Sequence, residues 1–293
     1  MGMSGGMAVR QDDGLRLSEP EFVKISKLAY EDFGLDLHAG KQGLVLARLS
    51  KKIRHLGLRS FQEYYDHVVS DASGEALVSM VDDLTTNHTS FFRESQHFGF
   101  LRKTILPQLR GRRRIDVWCA ACSTGEEAYS IAVSIAEELG GPDASEIRIL
   151  ASDISTRVLA KAERAVYAAE RFRGLPMPLL QRYLLRSTGP GEVAYCVKPE
   201  LRAMIEFKHL NLMGNFSSLP IFSVIFCRNI MIYFDTPTQQ ALVQRLTAHL
   251  EPGGYLLIGH SENLNTMEHD LDYVEPATYR KPMFGRGARK VAR

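Results

Sequence analysis

Long apolar runs are missing from this 293-residue chain. A membrane-spanning helix needs roughly 18 or more consecutive apolar residues, and stretches such as Tyr255 to Ile258 stop far short of that. No membrane insertion is expected. Met1 to Arg10 contain Gly, Ser and Met but no apolar core segment, so no secretory signal is expected. Cysteine is scarce, with four residues, which fits a reducing cytoplasm. Cys119 and Cys122 form a C-x-x-C pair, but no second pair follows, which argues against structural zinc. They read as small packed residues at a turn, with a redox role as the alternative. Net charge is only +2, so no global attraction to polyanions is implied. With 45% hydrophobic and 24% charged residues, the composition is that of a globular protein of one large or two moderate domains.

The rest of the chain is organised around one stretch. Ile115 to Ala120 reads as a buried strand, β-branched and aromatic. Ala121 to Gly125 is a tight turn of small residues, and a helix opens at Glu126. Ser123 or Thr124 is expected to cap that helix, with Glu126 and Glu127 in its first turn, where acids favour the helix dipole. Strand–turn–helix units of this kind bind nucleotides in doubly wound folds. This one departs from G-x-G-x-x-G, and its acids would repel a pyrophosphate at the helix N-terminus. The turn therefore suits a ligand with ribose hydroxyls and a cation but no phosphate. S-adenosylmethionine fits that description and NAD does not. Gly125 is expected to let the backbone approach that ligand.

Residues 1–16 read as a flexible leader. Residues 17–84 read as an all-helical domain. Ser18-Glu19-Pro20-Glu21 is a capping box that opens a first helix with Phe22, Ile25, Leu28, Ala29 and Phe33 at helical spacing. A second helix is expected over 39–56 with Leu44, Leu46, Leu49 and Ile53 toward the core. Ser60-Phe61-Gln62-Glu63 opens a third, and Ser73 to Leu84 a fourth. Lys41, Arg48, Lys51, Lys52, Arg54 and Arg59 include no acid among them. They read either as a solvated face or as a docking surface for an acidic partner, a helix bundle or nucleic acid. Residues 85–110 read as a linker and connecting helix.

From 111 to 284 strands alternate with helices, which predicts an α/β fold with a doubly wound, mostly parallel sheet. Strands are expected at 115–120, 147–153, 205–210, 223–229 and 255–259, with Tyr273 to Lys281 at the sheet edge. The rhythm breaks at about 166–205. Gly174, Pro176, Pro178, Gly189-Pro190-Gly191 and the alternating run Val193 to Val197 predict a small helix and an antiparallel hairpin, an inserted β-subdomain. Residues 285–293 form a basic tail.

Ligands in such sheets bind beyond the carboxyl ends of the strands. Those ends carry Gly125 and Glu127, then Asp153, then Asn211-Leu212, then Arg228, Asn229 and Tyr233. Asp153 suits ribose hydroxyls, or else caps the next helix with Ser155. Asn211 suits adenine, or else serves only the turn.

Several runs resemble the bacterial chemotaxis receptor glutamate methyltransferases. They are Thr85-Thr86-Asn87-His88-Thr89-Ser90-Phe91-Phe92-Arg93-Glu94, Cys122 to Glu127 through Tyr129-Ser130-Ile131-Ala132, Ala151-Ser152-Asp153-Ile154, Phe226 to Asp235, and Gly259-His260-Ser261-Glu262-Asn263. The resemblance implies the S-adenosylmethionine-dependent methyltransferase fold and methylation of receptor glutamates to methyl esters, with S-adenosylhomocysteine as product. By the same resemblance Asn87, Thr89 and Arg93 touch the cofactor. Glu127 meets its methionine end, Asp153 its ribose, Asn211 and Leu212 its adenine side, and Arg228 and Asn229 the remaining wall. Arg93 and Tyr233 flank the methyl group and orient the incoming carboxylate. The implied partner is the cytoplasmic helical domain of membrane chemoreceptors, met by the basic helix 39–56. Some family members also bind a receptor C-terminal peptide on the β-subdomain by strand addition. A monomer without metal or nucleic acid is expected. The competing readings are a methyltransferase for nucleic acid or a small molecule, and a non-catalytic module that senses S-adenosylmethionine. The Asp/Asn-Pro-Pro-aromatic run of amino-methylating enzymes is replaced here by Cys227-Arg228-Asn229-Ile230.

Overall fold

The computed structural model describes residues 14–86, 88–139, 147–187 and 193–283. The chain divides into two compact units, Met1–Thr86 and Asn87–Arg293. No helix among the described residues is long and apolar enough to cross a membrane.

The first unit holds α1 (Glu19–Phe33), α2 (Gln42–His55), α3 (Phe61–Ser70) and α4 (Glu75–Leu84). Glu21 closes the start of α1 by accepting from Ser18 N–H at 2.8 Å, and Ser60 caps α3 by accepting from Glu63 N–H at 3.1 Å. Phe22, Ile25 and Ala29 of α1 and Val45, Leu49 and Ile53 of α2 are buried, with α1 packed on α3 and α2 on α4. Leu44 is instead exposed, because α2 starts only at Gln42 and Val45 takes the core-facing position. Three of the basic residues are used inside the unit. Lys41 donates to Asp36 O at 2.8 Å, Arg48 to Leu84 O at 2.7 Å, and Lys52 to Ser79 Oγ at 2.7 Å. Lys52 also lies 3.8 Å from Asp83. Lys51, Arg54 and Arg59 stay exposed.

The second unit begins with a broken helix. α5 (Gln96–Phe100) runs through a π turn, Leu101–Ile105, into α6 (Leu106–Leu109). Pro107 has no N–H to donate, which accounts for the break. Next come β1 (Ile115–Ala120), α7 (Glu126–Leu139), β2 (Ile147–Asp153) and α8 (Thr156–Arg164). The insertion contains β3 (Val166–Ala168), a 3-10 turn at Ala169–Phe172, α9 (Met177–Tyr183), β4 (Leu184–Arg186), β5 (Ala194–Val197) and α10 (Pro199–Arg202). The chain then returns with β6 (Ile205–His209), β7 (Phe222–Cys227), α11 (Thr236–Ala248), β8 (Leu250–Ile258), β9 (Asp272–Glu275) and β10 (Thr278–Arg280).

The main sheet has seven strands in the order β6-β2-β1-β7-β8-β10-β9. The first five are parallel, and β10 and β9 run antiparallel at the edge. Alternation along β1 builds both faces. Ile115, Val117 and Cys119 pack with α7 and with Phe98 to Leu109, while Trp118 and Ala120 pack with Phe216, Phe222 and α11. The chain leaves β1 toward β2 and β6, then crosses to β7 on the other side. The switch point therefore lies between the carboxyl ends of β1 and β7, where such folds place their ligand.

Three expectations need correction. The insertion is a three-stranded sheet, order β3-β5-β4, not a lone hairpin, because Val166–Ala168 joins the far side of β5. Gly189-Pro190-Gly191 lies outside the described residues. Pro252-Gly253-Gly254 does not precede the last parallel strand but bulges inside it. Phe222 pairs with Leu250 and Val224 with Tyr255, so Glu251 to Gly254 loop out between the two pairs. The edge stretch 273–281 is a hairpin of two short strands, turning at Ala277 with φ 61°.

Candidate active site

Strand ends β1, β2, β6, β7 and β8 converge on the switch point, and the segment His88–Glu94 crosses the same place. Non-glycine residues with positive φ concentrate here: Phe92 at 53°, Glu94 at 55°, Ala121 at 74°, Ser123 at 49° and Asn229 at 58°. Such backbone costs about 1–3 kcal/mol per residue, and it gathers where surrounding structure fixes a functional geometry.

The turn after β1 is closed by packing. Gly125 has φ 94°, and a Cβ there would lie 2.7 Å from Ala162 Cβ and 2.9 Å from Tyr167 Oη. The glycine is thus required by the chain's own α8 and β3, not by a ligand's approach. Neither hydroxyl of the turn caps α7 as expected. Ser123 Oγ is buried without a partner, and Thr124 Oγ1 donates to Glu126 Oε2 at 2.6 Å. Asp153 at the end of β2 fastens the turn instead, accepting from Ser123 N–H at 2.8 Å and from Ser155 N–H at 3.0 Å. Ser155, not Asp153, caps α8, accepting from Val158 N–H at 3.4 Å.

The turn after β7 is closed by charge. Arg228 donates from Nη1 to Glu127 Oε2 at 2.5 Å, and from Nη2 to Glu94 Oε2 at 2.9 Å and Arg93 O at 2.6 Å. Its side chain is 1% exposed and stands over the Phe98 ring at 5.6 Å. Arg228 was expected to line the wall of the site. In the structure it bridges Glu94 and Glu127. Burial alone would lower its pKa, but the two carboxylates reverse that and raise it. Burial likewise pushes Glu94 up, and bonds from Arg228, Asn229 Nδ2 and His260 N–H outweigh it, leaving Glu94 below the usual carboxylate range. Arg93 Nε lies 3.9 Å from Glu94 Oε1, so the two carboxylates face two guanidiniums, one buried and one half-exposed.

Glu262 holds the β7 turn from the end of β8. It accepts from the N–H groups of Gly259 at 2.5 Å, Asn229 at 3.0 Å and Met231 at 2.8 Å. Burial raises its pKa against those three bonds. A Cβ on Gly259 would lie 2.8 Å from Glu262 Oε2, so this glycine serves the same clasp. The 3-10 turn Met231–Tyr233 that follows presents Tyr233 half-buried.

Among the other expected residues, Arg93 is 35% exposed on its side chain and donates to His88 O at 2.7 Å. Thr89 is half-buried, and its carbonyl accepts from Arg171. Asn229 donates to Glu94 Oε1 at 3.2 Å. Asn211 Oδ1 accepts from Met213 N–H at 2.8 Å, a turn bond, while Leu212 is buried in the core beside Trp118 and Phe216. Asn87 lies outside the described residues. Glu94 and Glu262 stand in the runs that resemble the family, but the residue pattern alone assigns neither a role. An acid directly after Arg93, and one after a strand-ending glycine, were the available signals. His97 is 1% exposed, and neither ring nitrogen has a hydrogen-bond partner. Burial, then Arg228 and His260, push it down to about 3 against the pull of Glu94. Among the described residues Glu94, His97 and His260 bring ligand-type atoms within 4.8 Å of one another, but Glu94 already accepts from Arg228, Asn229 and His260 N–H.

The parallel sheet, its switch point and a net-acidic turn with no phosphate cradle define the S-adenosylmethionine-dependent methyltransferase fold. A family model described as "CheR methyltransferase, SAM binding domain" matches residues 87–280, and one described as "CheR methyltransferase, all-alpha domain" matches residues 20–85. The chain belongs to the CheR methyltransferase family and is a methyltransferase. It is 42% identical over 260 residues to chemotaxis protein methyltransferase 2 of Pseudomonas aeruginosa, covering 88% of this chain and 92% of that one. It is 41% identical over 270 residues to the chemotaxis protein methyltransferase of Klebsiella aerogenes, covering 92% and 91%. With the Escherichia coli chemotaxis protein methyltransferase, identity is 40% over 266 residues, covering 89% and 91%.

Proposed function

We propose that the protein methylates glutamate side chains of chemotaxis receptors, giving glutamate methyl esters. The observation that carries this reading is the fixed pairing of Glu94 and Glu127 on Arg228, beside the half-exposed Arg93. Both carboxylates are tied down, and beside them stand the guanidinium of Arg93 and the phenol of Tyr233, groups that hold an anion. An acceptor that is already anionic needs no base. A glutamate side chain has a reference pKa of ~4.3 and is ionised at neutral pH. Orientation is then the main requirement, and it is worth up to ~7–11 kcal/mol.

S-adenosylmethionine, when bound, supplies a methyl group on a cationic sulfur. The residues present fit such a ligand. The Glu127 carboxylate suits its cationic groups, the Asp153 carboxylate suits its ribose, and the buried, unpartnered Ser123 Oγ offers a further polar contact. Thr89, Asn229 and the backbone at Asn211 and Leu212 complete the pocket, with Asn87 beside Thr89 in sequence. Arg93 binds one oxygen of the acceptor carboxylate, Tyr233 hydrogen-bonds the same group, and Arg228 holds Glu127 in place. Exposed Lys51, Arg54 and Arg59 supply the receptor-facing charge of the helical unit. The open edges at β3 and β4 suit strand addition by a receptor peptide.

The test is incubation with methyl-labelled S-adenosylmethionine and receptor cytoplasmic fragments. Base-labile label on protein is expected, lost in Arg93→Ala and reduced in Tyr233→Phe. Full activity of Arg93→Ala, or label stable to base, would sink the reading.

A further inference from the structure

The inserted sheet grips the active site at two neighbouring points. Arg171, in the 3-10 turn after β3, donates from Nη1 to Thr89 O at 3.0 Å. The same nitrogen lies 3.8 Å from Oε1 of Glu126. Glu126 is fully buried, and that oxygen has no hydrogen-bond partner. Tyr167 of β3 donates to Thr124 O at 2.7 Å. Phe91 stacks on Phe172 with ring centroids 4.4 Å apart. The segment carrying Thr89 and Arg93 is thus fastened to the turn after β1 through side chains of the insertion.

We propose that Arg171 is a positioning residue for methyl transfer: it fixes the His88–Glu94 segment by holding Thr89 O while standing opposite the buried Glu126 carboxylate. The inference rests on the reading that Thr89 and Arg93 serve the ligand. It makes the insertion part of the catalytic clamp, in addition to any role as a docking sheet. One cationic nitrogen meets the carbonyl and faces the carboxylate at once, so the position needs a positive charge that carries an N–H donor.

Three variants separate this role from plain structural support. Arg171→Ala removes both interactions. Arg171→Lys keeps the charge and an N–H donor but loses the planar fork. Glu126→Gln added to Arg171→Ala removes the buried charge left without its neighbour. For the loss of a charged hydrogen bond on a partly exposed side chain, S-adenosylhomocysteine is expected to bind Arg171→Ala about tenfold more weakly. Arg171→Lys recovers most of that affinity. The double variant recovers the thermal midpoint but not the affinity. Affinity of Arg171→Ala within twofold of the unsubstituted protein, or affinity restored together with the midpoint by Glu126→Gln, would overturn the proposal. S-adenosylhomocysteine binding needs no acceptor. Unlabelled receptor fragments with reduced affinity in Arg171→Ala would remove the glutamate reading and leave this one standing.

Discussion

After β1 the chain turns through Ala121, Ser123 and Gly125, all with positive φ, and is held by close fit of Gly125 against Ala162 and Tyr167, with a single carboxylate bond, Ser123 N–H to Asp153. After β7 it turns through Asn229, also with positive φ, and is held by Arg228 on two carboxylates and by Glu262 on three backbone N–H groups. The two turns face each other across the switch point, yet one is shaped by volume and the other by charge. Adjacent glutamates show the same division. Glu126 faces the insertion and is fully buried, while Glu127 faces Arg228 and keeps 13% of its side chain exposed. The turn after β1 should therefore fail when a methyl group is added, and the turn after β7 when a charge is removed.

Arg228→Met breaks the comparison most severely. It leaves Glu94 and Glu127 buried without their cation, and removing one partner of a buried pair costs about 3–5 kcal/mol. A large fall in unfolding free energy and loss of S-adenosylhomocysteine binding are expected, read by denaturant titration and calorimetry. Next comes Gly125→Ala, which places a methyl group against Ala162 and strains a backbone at φ 94°. Overpacking of this kind costs about 1–3 kcal/mol. Its stability loss should not vary with salt, unlike that of a charge variant, which thermal melts at two ionic strengths will show.

The smallest effect is a pH dependence. His97 has the ordinary histidine value of 6.5 when unfolded and is pushed down to about 3 when folded. Across that window the unfolded state binds more protons, so stability falls as pH falls from 6.5. Glu94, held below its ordinary value, stays ionised through the upper part of the window and adds no slope there. Melting temperatures between pH 7 and about 5 should decline, and His97→Phe should flatten that decline.

The strands were legible because β-branched and aromatic runs mark burial directly. β1 and β2 begin and end where the residue pattern places them, at Ile115–Ala120 and Ile147–Asp153. The helical unit was legible from caps such as Ser60, whose bond is local. What stayed hidden depends on partners remote in sequence. Arg228 lies 134 positions from Glu94 and 101 from Glu127, and no local pattern shows that its charge is used internally. Gly125 is small because Ala162 and Tyr167 stand behind it, and Glu262 clasps a turn that precedes it by some thirty residues. The third strand of the insertion was missed because Val166–Ala168 is too short to show a period of two.

The central claim is that the Glu127 carboxylate, held by Arg228 at the switch point, selects a cationic, phosphate-free ligand. Calorimetric titration of S-adenosylmethionine into the unsubstituted protein and into Glu127→Gln tests it most directly, with NAD as the phosphate-bearing control. The account predicts binding to the unsubstituted protein, affinity at least about tenfold weaker in Glu127→Gln for loss of a charged partner, and no binding of NAD. Equal affinity in the two proteins, or NAD binding as tightly as S-adenosylmethionine, would contradict it.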